Sequence, residues 1–183
     1  MNLLDWIGAI FGIIGVVLTI FQKIWTWPIS IAALIISSIS FFRAELFGDA
    51  SLQFIYILQS FYGWKNWNEK ENLKAEIAYH LPIKNILVLV IVTSIQAIIY
   101  YNILFYFNSS LPIIDAILTA SSITTTYMMI KKWIEHWILW VVIDIAYVVL
   151  YIFKDLEPYA VQYFIFAILA CYGFIQWKKV IRK

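Results

Sequence analysis

The sequence predicts an all-α membrane protein: seven transmembrane helices, arranged as two parallel three-helix repeats joined by a linker helix. Three features lead there. The 183 residues are 63% hydrophobic and 13% charged, with a mean hydropathy of +0.84, which is far from the make-up of a water-soluble domain. Apolar runs recur about every 20 to 25 residues, each long enough to cross a hydrocarbon core of roughly 30 Å as a helix. The chain also repeats itself: Phe61–Trp67 reads FYGWKNW and Cys171–Trp177 reads CYGFIQW, so Tyr-Gly-x-x-x-Trp occurs near the end of the third apolar run and again near the end of the last.

Taken in order, the spans are expected at 6–22, 27–43, 50–67, 85–107, 111–130, 134–153 and 158–177. The first resembles a secretory signal, but it carries Asp5 where a basic region belongs and has no A-x-A cleavage site, so it reads as a membrane helix. Pro28, Pro112 and Pro158 stand at the starts of their spans, where a missing N–H does no harm. The one sizeable connection, Asn68–Lys84, contains NEKENLKAEI, expected to form a short amphipathic or solvated helix that Pro82 ends. The whole of 1–183 is then a single transmembrane domain, with repeat one at 1–68, the linker helix at 85–107 and repeat two at 111–178. Leu52-Gln53-Phe54 echoes Val161-Gln162-Tyr163, and Trp25/Trp27 before the second span echo Trp137/Trp140 in the sixth. One helix between two three-helix units restores their polarity, so the repeats run parallel about an axis along the membrane normal, and a substrate path is expected between them.

Orientation follows from lysine and arginine alone. On the side of the C-terminus fall Lys23, Lys65, Lys70, Lys74, Lys84, Lys131, Lys132, Lys178, Lys179, Arg182 and Lys183, against Arg43 and Lys154 on the other. The C-terminus is expected in the cytoplasm and the N-terminus outside. The net charge of +2 is uninformative, because where the charges sit matters more than their sum; no nucleic-acid partner is expected, and the lone Cys171 excludes an internal disulfide or a cysteine-built metal site.

The candidate site lies on the sixth span, WIEHWILWVVIDIAYVVLY. At about 100° per residue, Trp137, Trp140, Asp144, Tyr147 and Tyr151 fall within an arc of roughly 80°. The other side, with Ile138, Leu139, Val142, Ile145, Ala146, Val149 and Leu150, is aliphatic and fit for lipid. Trp133 extends the same line as an interfacial anchor. Asp144 falls near the middle of the span, where a carboxylate is costly unless it has a partner. Aromatic faces beside an anion suit a cationic heteroaromatic ligand, through stacking and cation–π attraction. Gln53 and Gln59 on the third span and Gln162 on the seventh are candidates to reach the same seam. Gln96 and the run Ser121–Thr126 read as helix–helix contacts or back-bonded hydroxyls. Asp49 and Asp115 read as solvated acids at the outer interface. No His or acid cluster has metal-ligand spacing, no glycine-rich phosphate loop appears, and no nucleophile–base pair stands out, so neither a cofactor nor an enzyme is expected.

At these residues the chain resembles the PnuC family of bacterial vitamin transporters. The family's W-x-x-W-x-x-x-[DN]-x-x-Y motif is matched by Trp137, Trp140, Asp144 and Tyr147, and its Tyr-Gly ends of the third and seventh helices by Tyr62-Gly63 and Tyr172-Gly173. The resemblance covers nearly the whole chain and includes a three-plus-one-plus-three layout also known from SWEET sugar transporters. It implies uptake of nicotinamide riboside across the bacterial inner membrane by facilitated diffusion, trapping by cytoplasmic phosphorylation, and a homotrimer in the lipid bilayer. A related branch takes thiamine, also a cationic heteroaromatic, and Asp144 fits either ligand. A SWEET-like sugar carrier has the same architecture, but a neutral ligand gives less reason for a buried carboxylate among rings.

Overall fold

In the computed structural model, residues 3–43, 47–71, 77–107, 111–153 and 157–181 are described. Among them are seven helices: α1 (Leu3–Ile20), α2 (Thr26–Arg43), α3 (Phe47–Glu71), α4 (Ile83–Tyr106), α5 (Pro112–Ile130), α6 (Glu135–Phe153) and α7 (Glu157–Lys178). Pro112 opens α5 at its first turn, with Asp115 beside it, where an acid favours the helix dipole. α2, α4, α5, α6 and α7 are each long and apolar enough to cross a membrane, and Trp6–Ile20 of α1 is a shorter apolar helix. α3 is less apolar because its last turns read WKNWNEKE.

α1 packs on α2, α2 on α3, α3 on α5, α5 on α6, α6 on α7 and α7 back on α1, which closes a ring of six helices. α4 stands outside it and packs chiefly on α5. Most of α4 is exposed aliphatic surface, such as Leu87 and Ile98, as a lipid-facing helix should be. Its polar strip turns to α5: Thr93 Oγ1 shares a 2.7 Å hydrogen bond with Thr124 Oγ1, which also donates to Gln96 Oε1 at 3.2 Å. Thr125 and Thr126 bond back to the carbonyls of Ser121 and Ser122. Polar side chains thus knit helices that have no hydrophobic drive to associate in lipid.

At the lysine-rich end the ring is drawn tight by tryptophan. Trp27 meets Trp67 edge-on at 5.1 Å, and Trp137 meets Trp177 edge-on at 5.6 Å. Trp27 lies against Gly63 and Trp137 against Gly173, so closely that a Cβ would stand 2.3 and 2.7 Å from the indole carbons. Only glycine admits such contact. Trp67 Nε1 donates to the Ile130 carbonyl that ends α5 (3.1 Å), and Trp177 Nε1 donates to the Ile20 carbonyl that ends α1 (3.0 Å). Each bond satisfies a carbonyl that a helix terminus leaves without an internal partner.

The short helix expected over NEKENLKAEI (68–77) lies largely outside the described residues. α3 continues to Glu71, residues 72–76 lie outside the described ones, and Ile77–Tyr79 is extended rather than helical, with parallel bridges Ala78 to Ile181 and Tyr79 to Trp133. Ala78 N–H donates to Val180 O (3.2 Å), Tyr79 N–H to Lys132 O (2.9 Å), and Tyr79 O accepts from Ile134 N–H (2.9 Å). Backbone partners from two distant segments hold Ala78 and Tyr79.

Candidate functional site

The six-helix ring encloses a cavity of about 270 Å³, near the lower end of the usual range for small-molecule sites, roughly 300–1,000 Å³. All six ring helices line it and α4 contributes nothing. One wall is α6. Residues 137, 140, 144, 147 and 151 succeed one another by three or four, so one helical stripe brings Trp137, Trp140, Asp144, Tyr147 and Tyr151 to the cavity. Asp144 is only 2% exposed. The reverse of the helix, with Ile138, Val142, Ile145 and Val149, faces outward, as the amphipathic pattern required.

Tyr147 and Tyr151 stack at 5.8 Å and 19°. Tyr163 of α7 lies 4.7 Å from Tyr147 and 5.3 Å from Tyr151, Tyr159 lies 5.4 Å from Tyr151, and Phe41 of α2 stacks on Tyr159 at 6.1 Å. A ladder of rings therefore runs from beside Asp144 toward the end of the bundle opposite the lysines. At the other end Trp137 is held by its neighbours. The fully buried His136 donates from Nδ1 to the Trp133 carbonyl (2.7 Å) and sits 4.5 Å from Trp137 and 4.7 Å from Trp177.

The wall facing α6 has different chemistry. Gly8, Gly12 and Gly15 bring the α1 backbone to the cavity, and Ser30, Gln53 and Ser60 add hydroxyls and an amide. Gln162 of α7 lies near Gly12, whose missing Cβ would stand 3.6 Å from its Nε2. Among the described lining residues Asp144 is the one ionisable acid, and no Lys, Arg or His lines the cavity. Among the described residues no group of three His, Cys, Asp or Glu side chains is placed to hold a metal.

Of the residues singled out in the sequence, Trp137, Trp140, Asp144, Tyr147, Tyr151, Gln53 and Gln162 come together on the cavity. Gln59 does not. It turns to α5, where its Nε2 donates to the Ile123 carbonyl at 2.9 Å. Trp133 also stays away, edge-on against Tyr127 at 6.0 Å before α6 begins. The side chain of Asp49 lies outside the described residues. Sequence reasoning missed Trp27, Tyr56 and Tyr163, all of which line the cavity. The offset that carries Tyr62-Gly63 onto Tyr172-Gly173 also pairs Trp27 with Trp137 and Gln53 with Tyr163, and would have found two of the three. Pairing Gln53 with Gln162 instead shifts that register by one.

A ring of apolar helices around a solute-sized cavity, walled by aromatic rings and a carboxylate, defines a multi-pass membrane transporter for a small organic solute. The chain belongs to the nicotinamide mononucleotide transporter family, which it matches over residues 2–179. It is 23% identical to the nicotinamide riboside transporter PnuC of Neisseria mucosa, over 98% of this chain and 74% of that protein. It is 24% identical to the riboflavin/roseoflavin transporter RibM of Streptomyces davaonensis, over 94% of this chain and 83% of the relative. The fold is that of a solved vitamin B3 transporter PnuC, with a TM-score of 0.80 at 24% identity, covering 97% of this chain and 81% of that one.

Proposed function

We propose that the protein carries nicotinamide riboside across the bacterial inner membrane by facilitated diffusion, with phosphorylation in the cytoplasm trapping the imported solute. The observation that carries this reading is Asp144, 2% exposed on a wall of aromatic rings in a cavity lined by no basic residue among those described. A buried carboxylate calls for a cation, and stacked rings favour a flat, positively charged heterocycle. The hydroxyls, amides and glycine backbone opposite suit a pentose. A phosphomonoester would bring about −1.5 to −2 charges at neutral pH beside Asp144 with no lining cation to meet them, which favours the nucleoside over the mononucleotide.

Thiamine is the alternative within the same family: it is a cation too, but offers less hydroxyl to the α1–α3 wall. Riboflavin, the cargo in one relative's name, and a sugar are both neutral and leave Asp144 unanswered. A single carboxylate among the described lining residues supports uncoupled transport rather than a proton or sodium relay. The lysine and arginine bias supports a cytoplasmic C-terminus and an external N-terminus. In support of a three-plus-one-plus-three arrangement, with units at 1–68 and 111–178 about the linker 85–107, stand the closed ring that omits α4 and the reciprocal bonds of Trp67 and Trp177, the tryptophans of the two Tyr-Gly-x-x-x-Trp motifs. The homotrimer rests on the family resemblance alone.

Counterflow in proteoliposomes tests the reading. Vesicles preloaded with unlabelled nicotinamide riboside should accumulate the labelled compound transiently, while vesicles tested with thiamine or riboflavin should not. Exchange of thiamine alone would move the assignment to that branch, and exchange of none would remove the carrier reading.

A further inference from the structure

The offset that relates the two Tyr-Gly motifs also carries Gln22 onto Lys132, and each lies just beyond the end of its helix, α1 at Ile20 and α5 at Ile130. Both adopt left-handed backbone, with φ of 49° and 61°, and among the described residues they are the only non-glycines that do. Long side chains are rare there because Cβ crowds the carbonyl oxygen. Their side chains meet: Lys132 Nζ donates to Gln22 Oε1 at 3.0 Å and lies 4.6 Å from the Trp67 ring centroid. The same Gln22 oxygen accepts from Ile77 N–H at 3.1 Å. Two donors on one atom identify it as the oxygen, so Gln22 Nε2 is the other end of the amide, and it is buried with no hydrogen-bond partner among the described residues.

This contact sits at the lysine-rich end of the bundle, beyond the tryptophans that floor the cavity. Trp67 and Trp177 flank it, each tied to the helix end next to one of the two turns. Over it lies the extended segment Ile77–Leu81, bonded to Gln22, Lys132 and Val180, and through Leu81 N–H to Glu135 Oε2 at 2.8 Å. A solute leaving the cavity toward the lysines meets this layer. At the opposite end the stacked rings of Phe41 and Tyr159 line the cavity.

We propose that Gln22 and Lys132 form the clasp of the gate on the lysine-rich side, which must part for solute to pass between the cavity and that side. The proposal rests on the reading of the protein as a carrier. A contact with a purely structural purpose has no reason to retain two strained residues and an orphaned donor at its centre. A gate has one: opening hydrates the Gln22 amide and the Lys132 ammonium, so the local gain on opening offsets the bonds that break. The closed layer is then held by enough to exclude water and by too little to be permanent. Gln22 on the α1–α2 turn and Lys132 on the α5–α6 turn stand on the two halves that have to separate.

Two experiments on the full-length protein, both with Cys171→Ser, test the clasp. In the first, Met129→Cys reports from the cavity floor to a membrane-impermeant maleimide applied on the lysine-rich side. Adding Lys132→Met should raise its labelling rate about tenfold, the factor for a lost hydrogen bond to a charged group, and adding Gln22→Leu as well should raise it little further. In the second, Gln22→Cys and Lys132→Cys are bridged by a short bismaleimide, and binding of nicotinamide riboside by the unbridged double variant shows that it folds. Bridging should abolish counterflow of nicotinamide riboside while leaving its equilibrium binding within about threefold. Unchanged labelling in Lys132→Met with binding retained, or counterflow undiminished by the bridge, would overturn the clasp. Absence of counterflow in the Cys171→Ser protein that keeps Gln22 and Lys132 would instead overturn the carrier reading.

Discussion

A carboxylate at 2% exposure on a membrane helix is the residue from which the chemistry of this protein follows. If Asp144 faces a cationic ring, Asp144→Ala should weaken binding of nicotinamide riboside by about 1.5 to 3 kcal/mol, as a charge-assisted hydrogen bond is lost, which is roughly tenfold or more. Trp140→Ala should cost about 1 to 3 kcal/mol if its ring stacks on the ligand, by analogy with base–aromatic stacking. Trp133→Ala should change little, because that ring rests on Tyr127 away from the cavity. Titration of the purified variants checks all three. At this scale much of the site was legible, because spacings of three and four on one apolar helix admit a single stripe. Gln59 shows where reading by residue type fails. It lies six positions from Gln53, about 120° round the helix, and its amide is spent on the Ile123 carbonyl. Ser60, by the same count about 20° from Gln53, does line the cavity.

Among the elements, α3 and α7 act as beds for tryptophan. Gly173→Ala would place a Cβ 2.7 Å from the Trp137 indole, and a rigid ring has to move away from it. The variant should lose about 1 to 3 kcal/mol of stability, as overpacked sites do, and should also bind ligand more weakly because Trp137 lines the cavity. Thermal unfolding in detergent and ligand titration separate the two effects. Gln96→Leu is the contrast: it removes an α4–α5 contact worth about 0.6 kcal/mol and should leave binding unchanged, because α4 does not reach the cavity. The helix boundaries were legible because prolines and apolar run lengths are local signals. The extended Ile77–Leu81 segment was not, because the partners that hold it, Gln22, Lys132, Glu135 and Val180, are all distant in sequence.

For the whole molecule, the ring of six with α4 outside is a matter of which helices touch, and hydropathy carries no such information. Two predictions belong here. Cysteines placed at Asn2 and Lys183 should be labelled from opposite sides of the membrane, the first from outside; labelling from one side would remove a span. Imposed proton or sodium gradients should not concentrate substrate beyond what the membrane potential does to a cation. The central claim, that the cavity selects a cationic nucleoside through Asp144, is tested most directly by one comparison of affinities. Nicotinamide riboside and its reduced dihydropyridine form have nearly the same shape and differ in the ring's charge. The parent protein should bind the cation about tenfold more tightly, as for a hydrogen-bonded charge pair, and Asp144→Asn should bind the two forms nearly alike. Equal binding of both forms by the parent, or a preference that survives Asp144→Asn, would contradict it.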